Sequence, residues 1–223
     1  MVKITGKNIL NVPAIAVVLV VGAVFDPQSS VAASFTNGSF ETGGNPGAWL
    51  ELPAGYTGIT GWTVTSGNID YVGTLWTAAD GNRSLDLNGS RPGAISQTFD
   101  TAVGQRYDVA FDLAGNYSGG PSTHIKTLQV SAAGLNQQYQ FDDTGRSSTD
   151  MGWMTEHFQF TATSTSTALT FLSLTTSGGF NGQQWFGPAL DNVRVSAVPL
   201  PGALALFAPA VLGFLGMGWL RRR

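Results

Sequence analysis

The chain has no cysteine, only two histidines, and little charge: Asp, Glu, Lys and Arg make up 11% of its 223 residues. The lack of Cys excludes a disulfide scaffold, thiolate zinc sites and a Cys nucleophile. It does not argue against export, because a domain of this length buries a full core without cross-links, whereas small secreted domains usually need them. Neither His124 nor His157 accompanies a Gly-x-Ser-x-Gly elbow or a His-x-x-x-His spacing, so no hydrolase or metalloprotease motif is present. Basic clusters are missing from the body of the chain. Between Ser34 and Pro201 there are 13 Asp and Glu against 6 Lys and Arg, a net charge near −7. Such a surface repels phosphate backbones, and nucleic acid is not an expected partner. What is abundant is Gly (29 residues), with Ser, Thr and Asn, a composition that suits strands and turns better than helices.

The two ends depart from this pattern. Lys3 and Lys7 precede an apolar stretch from Ile9 to Phe25, followed by Val31-Ala32-Ala33. A positive start, an apolar run and small residues at the cut define a secretory signal peptide over 1–33, cleaved after Ala33 by the Sec-type export route. The alternative is an uncleaved anchor. At the other end, Val198-Pro199-Leu200-Pro201-Gly202 leads into apolar residues 203–220 and then Arg221-Arg222-Arg223. As a helix, 203–220 would reach about 27 Å, just enough to span a bilayer core. The terminal arginines hold their side in the cytoplasm, which places everything before Pro199 outside. This segment, 198–223, resembles the PEP-CTERM sorting signal of Gram-negative bacteria in its VPLPA-type variant. It departs from the Pro-Glu-Pro form by lacking the Glu. The resemblance implies an exosortase-like sorting protease as partner and transient or lasting membrane attachment.

Between the ends, residues 34–197 read as one all-β domain. Tyr107, Val109, Phe111 and Leu113 alternate with Arg106, Asp108, Ala110 and Asp112, the signature of a half-buried strand. Shorter alternations occur around Ile95, Leu128, Phe158, Leu169 and Val193, separated by turn signals such as Asn88-Gly89 and Ser177-Gly178-Gly179. About ten short strands are expected, in an antiparallel sandwich of jelly-roll type.

The domain opens with Asn37-Gly38-Ser39-Phe40-Glu41 and closes with Leu190-Asp191-Asn192-Val193. Between lie Gly61-Trp62-Thr63-Val64, Asn68-Ile69-Asp70-Tyr71-Val72-Gly73, Leu85-Asp86-Leu87-Asn88-Gly89 and Leu113-Ala114-Gly115-Asn116. In this order the motifs resemble the choice-of-anchor C family, exported bacterial proteins similar to a group of plant cell-wall proteins. The resemblance implies a galactose-binding-like jelly roll and a location; it does not name a reaction. It also implies a structural calcium ion, held by Glu41 and Asp191 with oxygens of Asn37 and Ser39, since Ca²⁺ takes six to eight hard oxygens. The competing reading has both carboxylates bonded to turn amides.

Trp76 and Trp185 lie in loop-like surroundings, the latter beside Gln183 and Gln184. An exposed indole stacks on the apolar face of a pyranose while amides bond its hydroxyls, which makes these four the candidate ligand-binding residues. Core packing is the competing role for any one Trp. Trp62, inside a strand pattern, is expected in the core. Three functions remain open: a non-enzymatic binder of extracellular polysaccharide, a protein-binding adhesive module, and a hydrolase built on a carboxylate pair that sequence alone does not reveal.

Overall fold

The computed structural model describes residues 34–119, 124–176 and 183–199. The signal-peptide expectation over 1–33, and Leu200, Pro201, Gly202 and the helix and arginines that follow, lie outside the described residues. Among those described, no helix is long and apolar enough to cross a membrane.

Among the described residues, alternation produces eleven strands in two antiparallel sheets. The six-stranded sheet contains, in spatial order, β1 (Trp49–Pro53), β3 (Asn68–Val72), β4 (Ser84–Asp86), β11 (Pro188–Ala197), β6 (Arg106–Gly115) and β9 (Met154–Thr161). The five-stranded sheet contains β2 (Thr63–Ser66), β5 (Ala94–Asp100), β10 (Ser166–Ser173), β7 (Ile125–Ala132) and β8 (Leu135–Asp142). The chain therefore crosses repeatedly between two layers. The strand expected around Tyr107 is β6, but it is less amphipathic than its sequence. Ala110 and Asp112, on the polar side, are buried at 9% and 8% exposure. Asp112 accepts hydrogen bonds from Thr155 Oγ1 (2.6 Å) and Asn192 Nδ2 (2.8 Å), so neighbouring strands rather than water satisfy it.

The core between the sheets is aromatic. Trp62 is 2% exposed and packs against Phe40 (5.2 Å between ring centroids), Phe35 (5.6 Å) and Phe171 (6.2 Å). Its indole N–H donates to the Asn37 carbonyl at 2.9 Å, which fixes the opening segment to the core. Tyr71 does the same from β3, its hydroxyl donating to the Phe40 carbonyl at 2.5 Å. Asn37 and Phe40 both take positive φ, 52° and 59°, to make this turn. The turn docks on the closing strand: Val193 N–H donates to the Gly38 carbonyl at 2.9 Å.

Gly38 has no room for a side chain, because a Cβ there would fall 1.8 Å from the Val193 carbonyl oxygen. Gly38→Ala must therefore push the opening turn off β11, and is expected to lower stability by about 1–3 kcal/mol or more. A urea midpoint unchanged from wild type would show that the docking does not matter.

Candidate functional site

Sheet register places three acids in a row. Glu51 on β1 pairs with Asp70 on β3, and Asp70 pairs with Asp86 on β4. Side chains alternate along a strand, so the inward turn of Leu52, Ile69 and Leu85 puts all three carboxylates on the outer face. Like charges directly opposite one another destabilise a sheet. The row is accordingly tuned. Asp70 is pushed up from 3.8 to about 7, chiefly by burial and then by the charge of Glu51. Asp86, wholly buried, is raised well above the ordinary range by burial and then by Asp70, against hydrogen bonds from Asn116 and Asn88 and the charge of Lys126.

Above this row lies a groove of about 430 Å³. Glu51 and Asp70 line it, with Asn116 and Ser118 from the turn after β6. Its apolar walls are Trp49 at the start of β1, Leu75, and the pair Trp185 and Phe186 just before β11. Trp49 is 55% exposed, unusual for the largest apolar side chain.

Asp86 and Asn88 hold these walls in place. Asp86 Oδ1 accepts the N–H groups of Asn88 (2.9 Å) and Gly187 (3.1 Å), and Oδ2 accepts Asn116 Nδ2 at 2.7 Å. Asn88 Nδ2 donates to the carbonyls of Thr175 (3.0 Å) and Gln184 (2.5 Å). Residues 184 and 187 are thus gripped on both sides of Trp185 and Phe186. Gly187 is required there, since a Cβ would lie 2.5 Å from Asn88 Oδ1 and 2.6 Å from Asp86 Oδ1. Beneath them sits Lys126, fully buried and 3.2 Å from Asp143 Oδ2, whose other oxygen meets His124 Nδ1 at 2.6 Å. Burial depresses the Lys126 ammonium, while Asp143 and Asp86 support it.

Of the ligand-binding residues expected from sequence, Trp185 lines the groove. Trp76 does not: it is 4% exposed in the core, with its indole N–H donating to Ser84 Oγ at 2.8 Å, and it offers no face to a sugar. Gln184 braces the loop instead of facing the groove, its Nε2 donating to the Thr176 carbonyl at 2.7 Å. Gln183 is exposed and is not among the groove-lining residues. Sequence reasoning missed Trp49, Glu51, Asp70 and Asn116, because only cross-strand pairing brings them together. Arg83 Nη1 donates to Tyr71 Oη (2.7 Å) and to the Gly43 carbonyl (3.1 Å).

Glu41 and Asp191 do converge, on the connection between β3 and β4. Asp191 Oδ2 accepts the N–H groups of Ala79 (2.8 Å) and Asp80 (2.9 Å), and Glu41 Oε1 those of Asn82 (2.8 Å) and Arg83 (2.7 Å). The turn-amide reading is therefore correct as far as it goes. Asn37 is not a plausible cation ligand, because its side chain is tied to Thr42 and Thr60 and its carbonyl receives Trp62 and Phe40. Ser39 is half-buried in the same opening turn. Neither carboxylate has an ion-pair partner among the described residues. Asp191, 0% exposed, is pushed up to about 7 by burial, against the hydrogen bonds it accepts. Each carboxylate oxygen has a second lone pair, but among the described residues no group of three or more His, Cys, Asp or Glu side chains gathers around Glu41 and Asp191.

The family described as "Protein of unknown function (DUF642)" matches residues 33–196. The chain belongs to the DUF642 family. Halomucin from Haloquadratum walsbyi is 35% identical to it over 200 residues, a match covering 86% of this chain but 2% of halomucin. Two solved structures are more distantly similar to this DUF642 domain. TmCBM61, in complex with β-1,4-galactotriose, has a TM-score of 0.42 and 16% identity over 74% of this chain and 97% of its own. A CBM35 from Paenibacillus barcinonensis has a TM-score of 0.40 and 19% identity over 67% and 99%.

The acids make a pH prediction. A carboxyl whose folded pKa is raised contributes stability in full below its unfolded value and loses it as pH rises through the folded value. For Asp70 that window runs from 3.8 to about 7. The domain should melt lower at about pH 8 than at about pH 5, and Asp70→Asn, which cannot ionise, should flatten part of that slope. Melting curves of both proteins at the two pH values check this; parallel slopes would refute it.

Proposed function

We propose that this DUF642 domain is an exported, non-enzymatic module that binds extracellular polysaccharide in the groove bounded by Trp49 and Trp185. The supporting observation is the combination in one groove of indoles on its walls with carboxylates and an amide along its base. Aromatic faces stack on the apolar faces of sugar rings, and fixed polar groups read the hydroxyls. The Glu51 and Asp70 pair does not favour hydrolysis. A glycosidase pair acts from two sides of the scissile bond, whereas these carboxylates rise side by side from one sheet face. The export reading rests on the N-terminal pattern, and the tail is proposed to be sorted by an exosortase-like enzyme, as its likeness to PEP-CTERM signals implies. A galactose-binding-like jelly roll is the fold this implies.

Trp49→Ala and Trp185→Ala are each expected to weaken binding to a recognised oligosaccharide about tenfold, as truncation of an anchoring aromatic does. Titration calorimetry after a glycan screen measures this, with circular dichroism to confirm folding. If no glycan is bound, the protein-docking reading takes its place.

Calcium is proposed as a structural ion at Glu41 and Asp191, completed by main-chain oxygens. A ligand that binds only the folded state stabilises it by about 2.7 kcal/mol at a hundredfold excess over Kd, or roughly 5–10 °C for a domain of this size. Chelation should remove that increment from wild type and leave Asp191→Asn unaffected. An unchanged wild-type melting temperature on chelation rules the ion out.

A further inference from the structure

We propose that the groove selects glycans bearing free amino groups, with the ammonium of a hexosamine unit docked between Glu51 and Asp70. This rests on the glycan-binding reading above and names the class of sugar.

The ionisable groups that meet a ligand are both acids. Glu51 and Asp70 line the groove, and among the described residues no Lys or Arg does. The row continues behind them with Asp86. Lys126, the buried cation behind the row, is shared between Asp143 and Asp86 and does not line the groove. A uronate would add a negative charge beside two others, whereas an ammonium supplies the missing positive one. Opposed potentials of this kind reject the wrong partner as strongly as matched ones attract the right one.

Hydrogen-bonding capacity points the same way. Glu51 is fixed through one oxygen: Oε1 accepts Asn68 Nδ2 at 2.6 Å and Ser90 Oγ at 3.2 Å. Asp70 Oδ1 is buried and meets no donor. A buried acceptor left without a donor carries its full desolvation cost. A sugar hydroxyl supplies one donor, but an ammonium supplies three together with a charge. Hydrogen bonds to ionised partners are about twice as strong as neutral ones. Acetylation removes both the charge and two of the three donors. The groove therefore distinguishes glucosamine-type units from their acetylated forms by the same two carboxylates.

The test uses the full-length protein, in calcium-containing buffer near neutral pH. The probes are a β-1,4-linked glucosamine hexasaccharide, its fully N-acetylated counterpart, cellohexaose and an oligogalacturonate, titrated calorimetrically. We expect the amino hexasaccharide to bind at least tenfold tighter than the acetylated one, and the oligogalacturonate to bind most weakly. Glu51→Gln and Asp70→Asn should each abolish that preference, read as the ratio of the amino to the acetylated affinity measured on the same variant. Equal affinity for the amino and acetylated forms overturns the proposal but leaves glycan binding standing. A preference for the amino form that survives both Glu51→Gln and Asp70→Asn also overturns it, since the oligomer would then be adsorbing to the acidic surface elsewhere. If none of the four is bound, this proposal falls, and the wider glycan screen above decides the glycan-binding reading separately.

Discussion

The groove depends on one buried carboxylate. Asp86 sits on the shortest strand of its sheet, wholly out of water, and receives hydrogen bonds from Asn88, Gly187 and Asn116. Those partners belong to three separate parts of the chain, two of which carry groove residues. Asp86 works beside the Asn116 N–H bond to the Gly187 carbonyl (2.9 Å) and the pairing of Pro188 with Gly115 in tying the Asn116 turn to the segment before β11. Hydrogen bonds to an ionised group are among the stronger ones available. Burying that charge is correspondingly costly, and the raised pKa is its signature. The same residue is therefore both the organiser of the site and a burden on the fold.

That burden extends along the row. A sheet optimised for stability would not set Glu51, Asp70 and Asp86 opposite one another on adjacent strands. Polar or β-branched residues on an outer face would be less costly and would fold as well. The ligand proposed for the groove would supply the partner this row lacks, and perturbed titratable groups in a cleft are where such ligands bind. The fold carries it on the strength of a large aromatic core on the sheet's other side, where Trp62, Phe40, Tyr71, Phe111 and Phe171 are almost fully buried.

The sandwich was legible in the sequence because alternation is a local signal. Phe158 and Phe160, or Leu169 and Phe171, reveal their face without reference to any other strand. The joining of the two domain ends was legible too, since Gly38 and Val193 lie in the short motifs that open and close the domain. The groove was not. Trp49 and Trp185 stand 136 positions apart, and only the order β1-β3-β4-β11 brings β1 near the segment that precedes β11. Trp76 misled for the complementary reason: its loop is polar in sequence, yet that loop folds back and gives its indole a core position with Ser84 as partner. Asp70 and Asn116 were visible as motif residues, but nothing local distinguishes a motif Asp that lines a groove from one that caps a turn.

The connection between β3 and β4 joins the two acidic centres into one design. Its first part supplies Leu75 to the groove wall, and its last part presents the four amides of Ala79, Asp80, Asn82 and Arg83 to Asp191 and Glu41. Gly81 must stay a glycine between them, with φ at +66° and Glu41 Oε1 only 2.5 Å from where a Cβ would stand. A loop with so many of its amides committed loses little further freedom when a ligand arrives. Preorganisation of that kind favours affinity by reducing the ordering cost of binding. It also separates the tasks of the acids. Glu41 and Asp191 give their oxygens to backbone and hold the loop, whereas Glu51 and Asp70 keep acceptors in reserve and face the groove.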